Sequence, residues 1–155
     1  MRLLLVSCVL VLSACGQQMT TPDAGNPLFL CDSTAPALTL SGSVQADLFD
    51  KQCKSCHNSF DATNGDFSDA ARTADSVTKA SKYTLKRVEP NQLGKSAMWL
   101  KLNNTKGPNG ENSGGVMPPG GMLPEASRKI IKDWICSGAK PRASGCNTSR
   151  RRYSR

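Results

Sequence analysis

Apolar residues gather in a few short groups along the chain, and their spacing predicts helices rather than strands. Residues 3–12 form an apolar run with Ser7 as its one polar residue, too short to span a bilayer, which takes about 20 residues. Ser43 is suited to cap a helix that carries Val44, Leu48 and Phe49 at helical spacing, has Asp47 in its early turns and runs through Gln52 into Cys53. Residues 68–78 hold a weaker amphipathic pattern. Residues 96–102 place Met98, Trp99 and Leu100 in another short helix, ended by Asn103, Asn104 and Gly107. After a long loop through Gly121, Pro124 suits the first position of the clearest helix. Glu125 stands at the positive end of its dipole, Ile130, Ile131, Trp134 and Ile135 form one apolar face, and Gly138 stops it. Alternation of Val, Ile and Thr is too sparse for a sheet. The predicted fold class is mainly α.

A chain of 155 residues predicts one domain, and composition divides it into residues 1–14, 15–42, 43–139 and 140–155. The first stretch pairs a positive start, Met1-Arg2, with the apolar run and the small residues Ser13 and Ala14, the layout of an export signal. Leu12-Ser13-Ala14-Cys15 also resembles a bacterial lipobox. That resemblance implies cleavage before Cys15 and acylation of its thiol with several chains, enough for stable membrane anchoring; the alternative is an ordinary signal with an incidental cysteine. Gly16 stands where an aspartate commonly marks inner-membrane retention, so the likeness points to the outer membrane on its periplasmic side. Residues 17–27, rich in Thr, Pro, Gly and Asn, read as a tether.

The formal charge of +8 belongs to the end of the chain. Lys140, Arg142, Arg150, Arg151, Arg152 and Arg155 carry six positive charges with no acid among residues 140–155, which leaves +1 on residues 15–139. A basic tail of this composition is expected to be solvated and disordered, and no nucleic-acid partner is inferred.

Seven cysteines in an exported chain call for an assignment of each. Cys8 leaves with the signal, Cys15 is the acylation candidate, and Cys53 and Cys56 belong to a motif. Cys31, Cys136 and Cys146 remain, and an oxidising compartment predicts one disulfide among them. Pairing Cys136 with Cys146 is the first expectation, because the Gly-, Pro- and Ser-containing segment between them can turn back. Pairings of Cys31 with Cys136 or with Cys146 follow.

Cys53-Lys54-Ser55-Cys56-His57 matches the C-x-x-C-H haem-attachment signature. Two thiols near one helical turn apart reach two carbons on one edge of a porphyrin, and the adjacent imidazole is placed to ligate the iron. The competing readings are a Cys53–Cys56 disulfide in a structural lipoprotein and a thioredoxin-like centre, which wants a βαβ context that this pattern lacks. A zinc site lacks a second ligand pair. With a single histidine in the chain, the sixth iron position falls to another group. Methionine is the economical choice, from Met19, Met98, Met117 and Met122. A buried porphyrin also supplies apolar mass to a domain in which only 5% of residues are aromatic.

Together with Cys53-Lys54-Ser55-Cys56-His57, the stretches Met117-Pro118-Pro119-Gly120-Gly121 and Trp134-Ile135-Cys136-Ser137-Gly138-Ala139 resemble the class I cytochrome c family over residues 44–139. The resemblance implies a small fold of about four helices around one covalent haem c. It makes Met117 the distal ligand, with Met122 the second choice, and makes the first and last helices cross with Phe49 and Trp134 in their packing. It also implies a monohaem single-electron carrier, not an enzyme, working between redox proteins; a haem-based ligand sensor is the alternative if Met117 does not coordinate. The family's proline soon after the histidine, whose carbonyl orients the imidazole, is absent from Asn58-Ser59-Phe60, which leaves that acceptor unassigned. Trp99, Tyr83 and Arg87 carry donors suited to the carboxylates of a haem.

Overall fold

The computed structural model describes residues 25–32, 34–58 and 64–142. The signal, Cys8, Cys15, Met19, Cys146 and the tail beyond Arg142 lie outside the described residues. Within them stand four helices, Leu40–Cys53, Ala70–Thr78, Ala97–Leu102 and Glu125–Cys136, and two single 3-10 turns, Pro27–Phe29 and Leu93–Lys95. Ala80 and Lys86 form an isolated bridge, and no strand occurs among the described residues. The mainly α class is as predicted. None of the described helices is long and apolar enough to cross a membrane.

The first helix begins earlier than the Ser43 cap suggests, for a reason that lies far along the chain. The N–H groups of Leu40 and Ser41 donate to Lys140 O at 2.9 Å and Pro141 O at 3.0 Å. Donors that a helix start leaves without partners are thus satisfied by the segment after the last helix. Gly42 (φ −89°, ψ −127°) interrupts the winding, so the continuous part starts beside Ser43 after all. Beyond that interruption the helix is wound in the wide π manner. At its end Lys54 N–H donates to Phe49 O at 2.8 Å, and the N–H groups of Cys56 and His57 both donate to Cys53 O. The chain therefore keeps winding through the C-x-x-C-H motif.

Asp69 caps the second helix, its carboxylate accepting from the N–H groups of Ala71 and Arg72 at 2.9 Å. The last helix starts one residue later than expected. Pro124 keeps an extended ψ of 148° and takes the cap position, with Glu125 opening the first turn. Beyond it Gly138 adopts φ +94°, and Ala139 N–H donates back to Trp134 O at 2.8 Å, closing the helix.

Phe49 and Trp134 meet edge-to-face where the first and last helices cross, with ring centroids 6.1 Å apart and planes at 86°. Both are fully buried, among Val44, Leu48, Ile131 and Ile135, and truncating such an aromatic costs about 3–5 kcal/mol. Phe67 extends this contact, 5.1 Å from Phe49. Gln45 fixes the Phe67 backbone from the first helix, its Nε2 donating to Phe67 O at 3.1 Å.

Cys31 is bonded to Cys136, with Cα atoms 5.3 Å apart, which corrects the expectation that Cys136 pairs with Cys146. Loop length favours the short pairing, but a disulfide needs Cα atoms within about 4.4–6.8 Å of each other in the folded chain. Here the segment before the first helix packs against the third and fourth. The buried Trp99 donates its indole N–H to Leu28 O at 2.9 Å, and Ser137 Oγ donates to Leu38 O at 3.3 Å. These contacts bring Cys31 to the end of the last helix.

Candidate cofactor cleft

The helix that ends at Cys53 delivers three chemically active side chains to one cavity of about 350 Å³, within the range of small-molecule and cofactor sites. Cys53, Cys56 and His57 line it, and so do Met117, Pro118, Pro119 and Leu123 from the long loop before the last helix. The third helix adds Met98, Lys101 and Leu102, and the turn between Ala80 and Lys86 adds Lys82 and Tyr83. Sixty residues separate His57 from Met117 in the chain; folding gives them a common cavity.

His57 stands in a defined setting. Its Nδ1 lies 3.3 Å from Gly65 O, so Nδ1 carries the proton and donates, leaving the Nε2 lone pair free to bind a metal. The imidazole also packs against Phe67, ring centroids 4.9 Å apart, and His57 O accepts from Phe67 N–H at 2.7 Å. Gly65 is the acceptor that the missing proline left unassigned. It is buried at φ +85°, and a Cβ there would stand 3.1 Å from Arg87 Nε and 3.2 Å from the Phe67 ring. Glycine is thus the residue type that this position accepts.

Cys53 and Cys56 are free thiols, not bonded to each other. Cys56 is exposed; Cys53 is partly buried, and burial pushes its thiol up to about 11, with the neighbouring Cys56 adding to the rise. A thiol held in its neutral form is the opposite of the low-pKa cysteine of a disulfide oxidoreductase, and a bond between the two sulfurs is not part of this fold. Among the described residues no three His, Cys, Asp or Glu side chains converge on a shared ion position.

The four methionine candidates separate by location. Met117 lines the cavity, its N–H donating to Lys101 O at 3.2 Å. Met98 lines it as well, from the third helix. Met122, the second choice from sequence, is 57% exposed and lies outside the lining. Met19 is outside the described residues. Met98 thus replaces Met122 as the methionine that shares the cavity with Met117.

Of the three donors expected to face haem carboxylates, Tyr83 and Arg87 line the cavity and Trp99 does not. Trp99 is a correction: its indole N–H is committed to Leu28 O. Arg87 is buried, with one guanidinium N–H donating to Ser76 O at 3.1 Å. Tyr83 is approached by two ammonium groups, Lys82 Nζ and Lys101 Nζ each 5.1 Å from its ring centroid. Burial pulls Lys101 below its ordinary pKa, Tyr83 opposes that fall, and the charge of Lys82 adds to it. Gly114 at φ +83° makes room for the same ring, whose atoms lie 2.5 Å from where a Cβ would stand. Nothing in the sequence pattern singled out Lys82 or Lys101, because two lysines nineteen positions apart carry no motif.

Comparison with protein families, curated proteins and solved structures finds no match to this chain.

Proposed function

We propose that this chain is a monohaem c-type cytochrome, exported and anchored by lipid at Cys15, that carries single electrons between redox proteins on the periplasmic side of a bacterial membrane. The observation that carries the reading is that Met117 lines the same cavity as Cys53, Cys56 and His57. A structural lipoprotein has no reason to bring these four side chains around one mostly apolar space. The residues fit the group: two free thiols at the attachment spacing, an imidazole whose Nδ1–H is already committed to Gly65 O, and a thioether from a second segment.

A haem held there supplies an iron that cycles between two oxidation states. The chain's own residues do the rest. Cys53 and Cys56 would tether the macrocycle, His57 Nε2 and Met117 Sδ would ligate its iron, and Phe67, Leu102, Pro118 and Leu123, which line the same cavity, would limit the access of water. With an imidazole and a thioether both supplied by the chain, the group would serve electron transfer rather than substrate binding, and a thioether ligand would raise the reduction potential relative to a second nitrogen ligand.

The decisive experiment is export of the full chain in a host with a c-type maturation system, followed by haem staining of the denatured band. A stained band is expected, and a colourless one overturns the reading. The oxidised spectrum separates carrier from sensor: a methionine–iron charge-transfer band supports the carrier, whereas a high-spin, CO-reactive haem supports the sensor.

A further inference from the structure

Among the described residues, the charged side chains that line the cleft are Lys82, Arg87 and Lys101, with no Asp or Glu beside them. Two of them converge on one aromatic ring. Lys82 Nζ and Lys101 Nζ both lie 5.1 Å from the Tyr83 centroid, and neither forms an ion pair among the described residues, where the seven ion pairs all involve other cations. Lys101 is half-buried and reaches only a long contact, 3.4 Å, to Gly115 O. Two like charges drawn to one ring beside an apolar cavity repel each other, and the half-buried Lys101 also loses hydration, while Lys82 stays exposed. The Tyr83 face offsets part of that cost, on the order of 1 kcal/mol per cation. An anion between them offsets it far better.

From this geometry we infer that Lys82 and Lys101, together with Tyr83, form the subsite for the carboxylates of the cleft's ligand. The subsite takes a flat, apolar molecule with an anionic edge, and it rests on the haem reading above. It assigns an orientation as well: the attachment edge goes to Cys53 and Cys56, and the carboxylate edge to the Tyr83 turn. A docking role for these lysines toward an acidic redox protein is the competing use. The cavity favours the ligand, since Tyr83 and both lysines belong to its lining, with Tyr83 and Lys101 half-buried and Lys82 exposed.

The test uses the full chain produced without haem attachment, so that both thiols are free, and two metal-free probes, mesoporphyrin IX and its dimethyl ester. Neither probe carries vinyl groups, so binding is non-covalent and is read by porphyrin fluorescence. The expected result is that the diacid binds at least about tenfold more tightly than the diester, the scale of one charge-assisted hydrogen bond. In the Lys82→Gln/Lys101→Gln variant that preference collapses, and in Lys82→Arg/Lys101→Arg it returns, which guards against a fold effect. Equal binding of the two probes to the unmodified chain overturns the subsite while leaving the cleft a porphyrin site. An undiminished preference in the Gln variant also overturns it, and then points to the docking role. Binding of neither probe overturns the subsite together with the haem reading.

Discussion

The cleft is lined from two segments built on different principles. Cys53, Cys56 and His57 lie within five residues of one another at the end of a helix whose other face is buried against Trp134, and His57 is held by Gly65 O and the Phe67 ring. Met117 comes from a stretch between Asn103 and Pro124 that contains no helix or strand. Its ties to the helices gather at its two ends, Thr105 N–H to Leu100 O at the start and Arg128 Nε to Leu123 O at 3.1 Å near the finish, and around Met117 itself stand Met117 N–H to Lys101 O and Lys101 Nζ to Gly115 O. A ligand on a packed helix is positioned by the core. One on a loop is positioned by a handful of hydrogen bonds and by the prolines and glycines that restrict or permit its turns. If the cleft holds a haem as proposed, attachment chemistry belongs to the rigid segment, and the tuning of the iron to the adaptable one.

The comparison breaks first at the thiols. Cys53→Ser/Cys56→Ser is expected to abolish the haem-staining band entirely, because non-covalent haem leaves on denaturation; a band that survives would mean attachment elsewhere and would falsify the assignment. Next in size is Met117→Ala, which should remove the methionine–iron charge-transfer band and lower the potential, while the cofactor stays attached by the His57 segment. Met122→Ala should leave the spectrum unchanged. If Met98→Ala removes the band in place of Met117→Ala, the methionine ligand comes from a packed helix, not from the loop, and the contrast drawn above fails.

A third measurement asks whether the strap outside the cleft is independent of both segments. Cys31 and Cys136 are absent from the cavity lining, and their bond closes a loop with a sequence separation of 105. Cys31→Ser should cost about 3–5 kcal/mol in denaturant unfolding and leave the charge-transfer band intact. Cys146→Ser should cost nothing comparable. A larger loss in Cys146→Ser than in Cys31→Ser would restore the pairing that loop length suggests.

What the sequence disclosed divides along the same line. The C-x-x-C-H motif, the Phe49 and Trp134 faces and the helix ends within a few residues were legible because local spacing encodes them. Met117 was legible only through its likeness to a family motif. The His57 acceptor was not, since a glycine eight positions on has no spacing rule, and only the fold carries its carbonyl to the ring. Trp99 looked like a carboxylate donor because an indole N–H needs a partner; that its partner is Leu28 O depends on where residues 25–31 pack. The early start at Leu40 was hidden too, as its acceptors lie at Lys140 and Pro141.

Within the rigid segment the two thiols themselves differ, and the haem-free chain exposes the difference. With a pKa near 11 against an ordinary 9.0, Cys53 has about a hundredfold less thiolate at neutral pH than an unperturbed thiol. Iodoacetamide at pH 8 should label the exposed Cys56 well before Cys53, read by peptide mass spectrometry. The folded state holds the Cys53 proton more tightly than the unfolded state. Its contribution to stability is therefore whole below about pH 9 and declines as pH rises toward 11. Equal labelling rates would mean that Cys53 is not desolvated, and that the end of the first helix is as open as the Met117 loop.

The smallest expected effect tests how rigid the His57 segment is at its one glycine. Gly65→Ala keeps the carbonyl that accepts from His57 Nδ1, so ligation should survive. It forces an L-residue to φ +85°, which costs about 1–2 kcal/mol. It also presses a methyl group against Arg87 Nε and the Phe67 ring at 3.1–3.2 Å. Phe67 is packed between Phe49 and His57 and has little freedom to give way, so the strain should appear as lost stability and not as a displaced imidazole. The expected reading is a drop of about 1–2 kcal/mol in denaturant unfolding with the charge-transfer band unaltered. A change in the band at unaltered stability would mean that the histidine yields before the core does, and the rigidity ascribed to this segment would then belong to Phe49 and Trp134 alone.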